Sequence, residues 1–203
     1  MNFFLLASSI AFMIWLTVRL AMIKKNEAEQ EKEFWDTEQK ANTTRRKSLD
    51  DLDYIQIPFD DLPFALMSDD QKVSEYHQTL RTLAENPIVN LTCITNTDLK
   101  LRYGAANITK LSRYDSAYTI LARTLQQWAK ALFEAGLSEA ACTVLEFAVA
   151  TKTDVSDTYL LLSDIYHEAG KTESIESLIS IAEELPSSHS RRITARLREK
   201  LDV

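Results

Sequence analysis

Glycine and proline are nearly missing, with three of one and four of the other in 203 residues. Tight hairpins, phosphate-cradling loops and nucleophile elbows need residues that tolerate positive φ, so the shortage excludes a fold built on many such turns and points to helices. Cysteine is as scarce. Cys93 and Cys142 have no metal-ligand spacing, which leaves no support for a disulfide framework or a zinc site; two reduced, buried thiols are expected. A basic excess is absent too, since the formal charge of -7 argues against a protein that presents a cationic face to nucleic acid. His77, His167 and His189 lie far apart, and no Cys-x-x-Cys, glycine-rich phosphate loop or Gly-x-Ser-x-Gly accompanies them. No catalytic constellation can be drawn from the sequence, so the chain is expected to be non-enzymatic, without cofactor, metal or small-molecule substrate.

What is present is an apolar and charged helical chain, 45% hydrophobic and 26% charged. From Phe3 to Ile23 the only charge is Arg19, and a helix of that run would reach about 31 Å, the depth of a bilayer core. A cleaved signal peptide would carry basic residues ahead of the run, whereas Lys24 and Lys25 follow it. The expectation is therefore a single-pass cell-membrane anchor over residues 1–23, with the N-terminus outside and the bulk of the chain cytoplasmic. Ala7, Ser8, Ser9 and Ala11 would give that anchor a small-residue face. On the cytoplasmic side the acceptor patterns at Asn42, Asn90 and Asn107 would meet no glycosylation chemistry.

Residues 24–47 read as a charged helical stalk and linker, interrupted by Phe34 and Trp35, which suit an interface, a contact with the folded domain or a second copy. Arg45, Arg46 and Ser48 fit a phosphorylation pattern of low specificity. Residues 48–67 form an acidic strap: seven aspartates stand in or just beyond it, no Lys or Arg falls within, and Pro58 and Pro63 hold it extended while Tyr54, Ile55, Ile57, Phe59, Leu62 and Phe64 give it groups to dock. Its groove lies either on its own helical domain or on another protein.

The helical domain spans 68–203. Ser68 is the expected cap of a first amphipathic helix with Val73, Tyr76, Leu80 and Leu83 on one face, ending before Pro87. A loop follows, with a short helix near Asp98 to Tyr103, and Asp115 or Ser116 is the expected start of a helix ending at Gly136. Beyond it the chain repeats. Gly136 and Gly170 are 34 residues apart; Leu125, Trp128, Ala129 and Leu132 precede the first as Tyr159, Leu162, Ser163 and Tyr166 precede the second. Ala141, Leu145 and Ala148 then answer to Ile175, Ile179 and Ala182, and Pro186 closes the second unit.

This period and pattern resemble the tetratricopeptide repeat, over units at about 122–155 and 156–187. The first unit departs from the repeat in having Leu125 where an aromatic is expected, and the second in having Ile175 where a small residue is usual. The resemblance implies an all-α helical-hairpin solenoid, in which the earlier helices supply degenerate repeats and residues 188–201 form a capping helix with Ile193, Leu197 and Leu201 inward. It also implies a protein-interaction function, with a peptide or helix of a partner held on the inner surface by Arg123, Gln126, Lys130 and Phe133 of the first unit and Asp157, Leu160, Asp164 and His167 of the second. Phe133 and Leu160 would be either a binding patch or a contact within the chain, and Arg123 and Lys130 are placed to pair with the aspartates of the strap. The function expected is a membrane-tethered adaptor or scaffold; the alternative is a structural subunit of a membrane assembly.

Overall fold

The structure is a computed structural model; it describes the backbone of residues 2–201, with the side chains of Ser8 and of residues 12–201. Among these residues it is all-α, without strands: α1 (Asn2–Thr43), α2 (Gln71–Ala84), α3 (Asn96–Tyr103), a 3-10 turn (Ala105–Asn107), α4 (Ile108–Glu134), α5 (Ser138–Ala150), α6 (Ser156–Glu168), α7 (Thr172–Glu183) and α8 (Ser190–Leu201). The chain divides into two compact units, Met1–Lys47 with Thr95–Ile108, and Ser48–Ile94 with Thr109–Val203.

In the first unit α3 lies against the end of α1, where Glu38 accepts from Lys100 at 3.2 Å and from the Thr97 hydroxyl. The Thr97 hydrogen bond, and then Lys100, hold the Glu38 carboxyl below its ordinary range. The segment read as a linker is bound rather than free: Asn107, fully buried, donates to the carbonyls of Lys47 (2.9 Å) and Tyr103 (2.8 Å). Gly104 makes this approach possible. At φ +89 a Cβ there would fall on the Arg45 carbonyl.

The membrane anchor is overturned, because no helix among the described residues is long and apolar enough to cross a membrane. The single-pass localisation and its orientation fall with the anchor. Of the small-residue face, only the side chain of Ser8 lies within the described residues.

In the second unit the strap packs on its own helical domain. Ile57 and Leu62 enter the core, Ile55 N donates to the Ile88 carbonyl at 2.9 Å, and Phe64 lies 4.9 Å from the Trp128 ring and 4.8 Å from His77. Trp128, at 0% exposure, is the centre of this cluster, and the strap covers an apolar surface that α2 and α4 alone would leave open. A single antiparallel bridge, Tyr54 to Val89, is what the strand-forming residues after Pro87 become.

Two helix starts differ from expectation. Asp70, not Ser68, caps α2, its carboxylate accepting from Val73 N at 3.0 Å. Helix α4 does not restart at Asp115 or Ser116; it runs unbroken from Ile108, with the Ser116 hydroxyl donating to the Ser112 carbonyl (2.7 Å) and Asp115 accepting from Leu91 N (3.3 Å). Capping residues survive inside the helix because their polar groups find these other partners.

The repeated glycine turns are alike in structure. Leu137 N donates to Leu132 O at 2.9 Å and Gly136 N to Phe133 O at 2.9 Å; Lys171 N donates to Tyr166 O at 2.8 Å and Gly170 N to His167 O at 3.0 Å. Both are Schellman closures, with φ of +78 and +69 at the glycines. Every repeat position named above is buried on both helices of both units. The segments ahead do not form further hairpins of this kind: α2 stands alone, α3 belongs to the first unit, and α4 is one helix of 27 residues. No tetratricopeptide solenoid is shown.

Gly104→Ala is expected to lower the thermal midpoint more than Gly136→Ala, where a Cβ meets nothing within 4 Å; melts followed by circular dichroism check the order. His77 gives a second expectation. Burial, and then the neighbouring Arg81 charge, lower its pKa, so the unfolded chain binds the proton first and stability is lost as pH falls below about 6.5. His77→Phe is expected to flatten the melting temperature between about pH 7 and pH 5 relative to the parent.

Candidate functional site

Two faces of α6 have different fates. Residues two apart on a helix point about 200° from each other, so Leu160 and Asp164 lie opposite Leu162 and Tyr166. The first face was expected to hold a partner. Here it meets the chain's own α8: Lys200 donates to the Leu160 carbonyl at 3.2 Å and pairs with Asp164, and Leu160 is 8% exposed. Phe133 is half-buried and packs against the core, so the two residues of the expected apolar patch are core contacts and not a free surface. Arg123, Asp157 and His167 are exposed, Gln126 is half-buried, and Lys130 pairs with Glu134 of its own helix at 3.8 Å. The strap aspartate that does meet a lysine is Asp53, 3.8 Å from Lys152.

The opposite face of α6 lies under a groove, with Leu162 and Tyr166 packed at 1% and 8% exposure. These two floor the groove, which has a volume of about 810 Å³ and is walled by Val149 on α5 and by Leu178 and Ile181 on α7, with Leu185 at its end. Ile181, at 40% exposure, is an unusually open isoleucine on this lip. The Tyr166 hydroxyl donates to Glu146 Oε1 at 2.8 Å, fixing the rim carboxylate over the floor. Burial first, and then this bond to Glu146, push the Tyr166 pKa up, so the phenol remains a donor.

Sequence reasoning named Leu162 and Tyr166 only as repeat positions, and on α7 it followed the stripe Ile175, Ile179 and Ala182, so Leu178, Ile181 and Leu185 were passed over. A second stripe was legible: Leu178, Ile181 and Leu185 recur at three and four residues and border the first. A helix with two adjacent apolar stripes has a wider apolar surface than one neighbour can cover.

The cysteines are free, but Cys93 is exposed and Cys142 half-buried, contrary to the expectation of two buried thiols. Cys93 stands at φ +66 in the turn ahead of α3. Burial, and then the Glu146 charge, push the Cys142 thiol up to about 11. Among the described residues no group of three or more His, Cys, Asp or Glu could hold a metal ion.

No family model, no curated protein and no solved structure matches this chain. The likeness to the tetratricopeptide repeat is therefore carried by its own residues alone.

Titration with a maleimide at about pH 7.5 is expected to modify Cys93 first and Cys142 much more slowly, because only the thiolate attacks. Mass spectrometry of the labelled peptides reads the order, and Glu146→Gln is expected to speed the second site.

Proposed function

We propose that this chain is a non-catalytic protein-interaction module, an adaptor or scaffold built on two hairpins of tetratricopeptide type, which binds an apolar segment of a partner protein in the groove between α5 and α7. The single observation that supports this is the groove itself, with Ile181 exposed on its lip above the packed Leu162. Monomeric surfaces seldom leave a concave apolar trough next to an exposed isoleucine, and such troughs favour helices or extended peptides that place side chains at three- and four-residue spacing. The inner first-helix face is a weaker place for the partner, since α8 closes it over Leu160.

Binding would proceed by desolvation of the floor. Each apolar side chain seated there contributes on the order of 1–2 kcal/mol, and the rim carboxylates and serines fix register without dominating the energy. A second reading is favoured by α1, whose Phe34 and Trp35 are 56% and 61% exposed and stack edge to face at 5.4 Å. There the long helix, not the groove, packs into a larger assembly.

The test is site-specific photo-crosslinking in cells. A benzophenone residue at position 181 is expected to trap a partner that the same probe at the exposed position 127 does not, and Ile181→Asp to weaken capture of that partner by about tenfold with an unchanged melt. Crosslinks that arise instead from positions 34 and 35 and ignore Ile181→Asp would transfer the function to α1.

A further inference from the structure

We propose that the groove selects a basic amphipathic helix, an apolar stripe flanked by lysine or arginine, as its partner. This rests on the binding reading above and adds the charge of the ligand.

The charges carried within the two wall helices have one sign. Helix α5 carries Glu139 and Glu146, α7 with its cap carries Glu173, Glu176, Glu183 and Glu184, and neither helix contains Lys, Arg or His. Three cations stand nearby: Lys152 also lines the groove and pairs with Asp53 at 3.8 Å, Lys171 lies over the ring of Tyr166 on the floor, and Arg198 pairs with Glu183. Glu146 and Glu184 both line the groove, from opposite walls, and neither has an ion pair among the described residues. The partners of Glu146 are neutral, the Tyr166 hydroxyl and the Cys142 thiol, so its carboxylate is oriented but its charge is not compensated.

An occupant that fills the apolar floor excludes water from between these two carboxylates and lowers the local dielectric. An acidic ligand is then repelled more strongly than in bulk water, and a cationic one is attracted more strongly. A helix about 10 Å across, with its apolar stripe on Leu162, Leu178 and Ile181, presents its flanking positions to both walls at once. Lys or Arg at those flanks meets Glu146 on one side and Glu184 on the other.

The probe is a fluorescein-labelled Leu/Lys amphipathic peptide of about five helical turns, compared with a Leu/Glu peptide of the same apolar stripe, read by fluorescence anisotropy with the full chain. The Leu/Lys peptide is expected to bind, and to weaken as salt rises from about 0.05 to 0.5 M. Glu146→Lys with Glu184→Lys is expected to weaken it by about tenfold and to admit the Leu/Glu peptide. Glu146→Gln, which keeps an acceptor for Tyr166, gives a smaller loss in the same direction if charge and not structure is responsible. Glu75→Lys on α2 is expected to change nothing. Equal binding of the two peptides, or an equal effect of Glu75→Lys, overturns the charge selectivity; the groove reading then survives only if Ile181→Asp still weakens binding. Binding of neither peptide, or binding indifferent to Ile181→Asp, overturns both.

Discussion

The second unit depends on a five-residue connection, Thr151 to Val155 between α5 and α6, whose carbonyls must find donors outside their own helices. Tyr118 on α4 donates to Thr151 O at 3.2 Å, Tyr159 on α6 donates to Thr153 O at 2.8 Å, and Asn90 donates to Thr151 O and Lys152 O, each at 3.1 Å. Asp154 accepts from Ser187 at 2.7 Å beyond α7. A buried carbonyl left unpaired costs about as much as a lost hydrogen bond, so four separate elements are drawn to one loop. Burial raises the pKa of both tyrosines, Tyr118 to about 12, which keeps the hydroxyls as donors throughout the ordinary pH range.

The strap is the second consequence of a small helical core. Helices α2 and α4 would leave the Trp128 ring at the surface, and the strap supplies Ile57, Leu62 and Phe64 to close it. Closure leaves His77 Nε2 and Trp128 Nε1 buried without partners, a local cost that aromatic packing must offset. The acidic residues of the strap that alternate with its apolar ones face outward, and Asp53 alone among them pairs with a lysine.

How much of this was legible follows the range of the interactions. The glycine turns, the paired buried positions and the inward Ile193 and Leu197 were all readable, because each depends on residues within one or two helical turns. Asn107 binding Lys47 and Asn90 binding Lys152 were not, since they join residues about sixty apart and asparagine looks the same in a loop as in a buried clasp. Two of the three glycosylation-like asparagines are these clasps, their side-chain amides already committed. The apolar start of α1 was read as a span from its length and its single charge, whereas no helix among the described residues is long and apolar enough to cross a membrane. Leu160 misled because a repeat pattern marks which face a residue occupies, not what the C-terminal helix later does to that face.

That last point decides which side of the hairpins remains available. Helix α8 is itself amphipathic, and its apolar face has to be buried somewhere; α6 and α7 present two candidate surfaces, the inner one with Leu160 and the outer one with Leu162 and Leu178. Its arginines and Lys200 weigh on the choice. On the inner side Lys200 reaches Asp164 and the Leu160 carbonyl while Arg198 reaches Glu183, so the helix is anchored by charge as well as by Ile193 and Leu197. Closing one face with the chain's own basic helix leaves Glu146 and Glu184 uncompensated on the other. The same chemistry that the chain satisfies internally on one side of α6, an apolar stripe with basic flanks against an apolar surface with acidic ones, is therefore left unsatisfied on the opposite side.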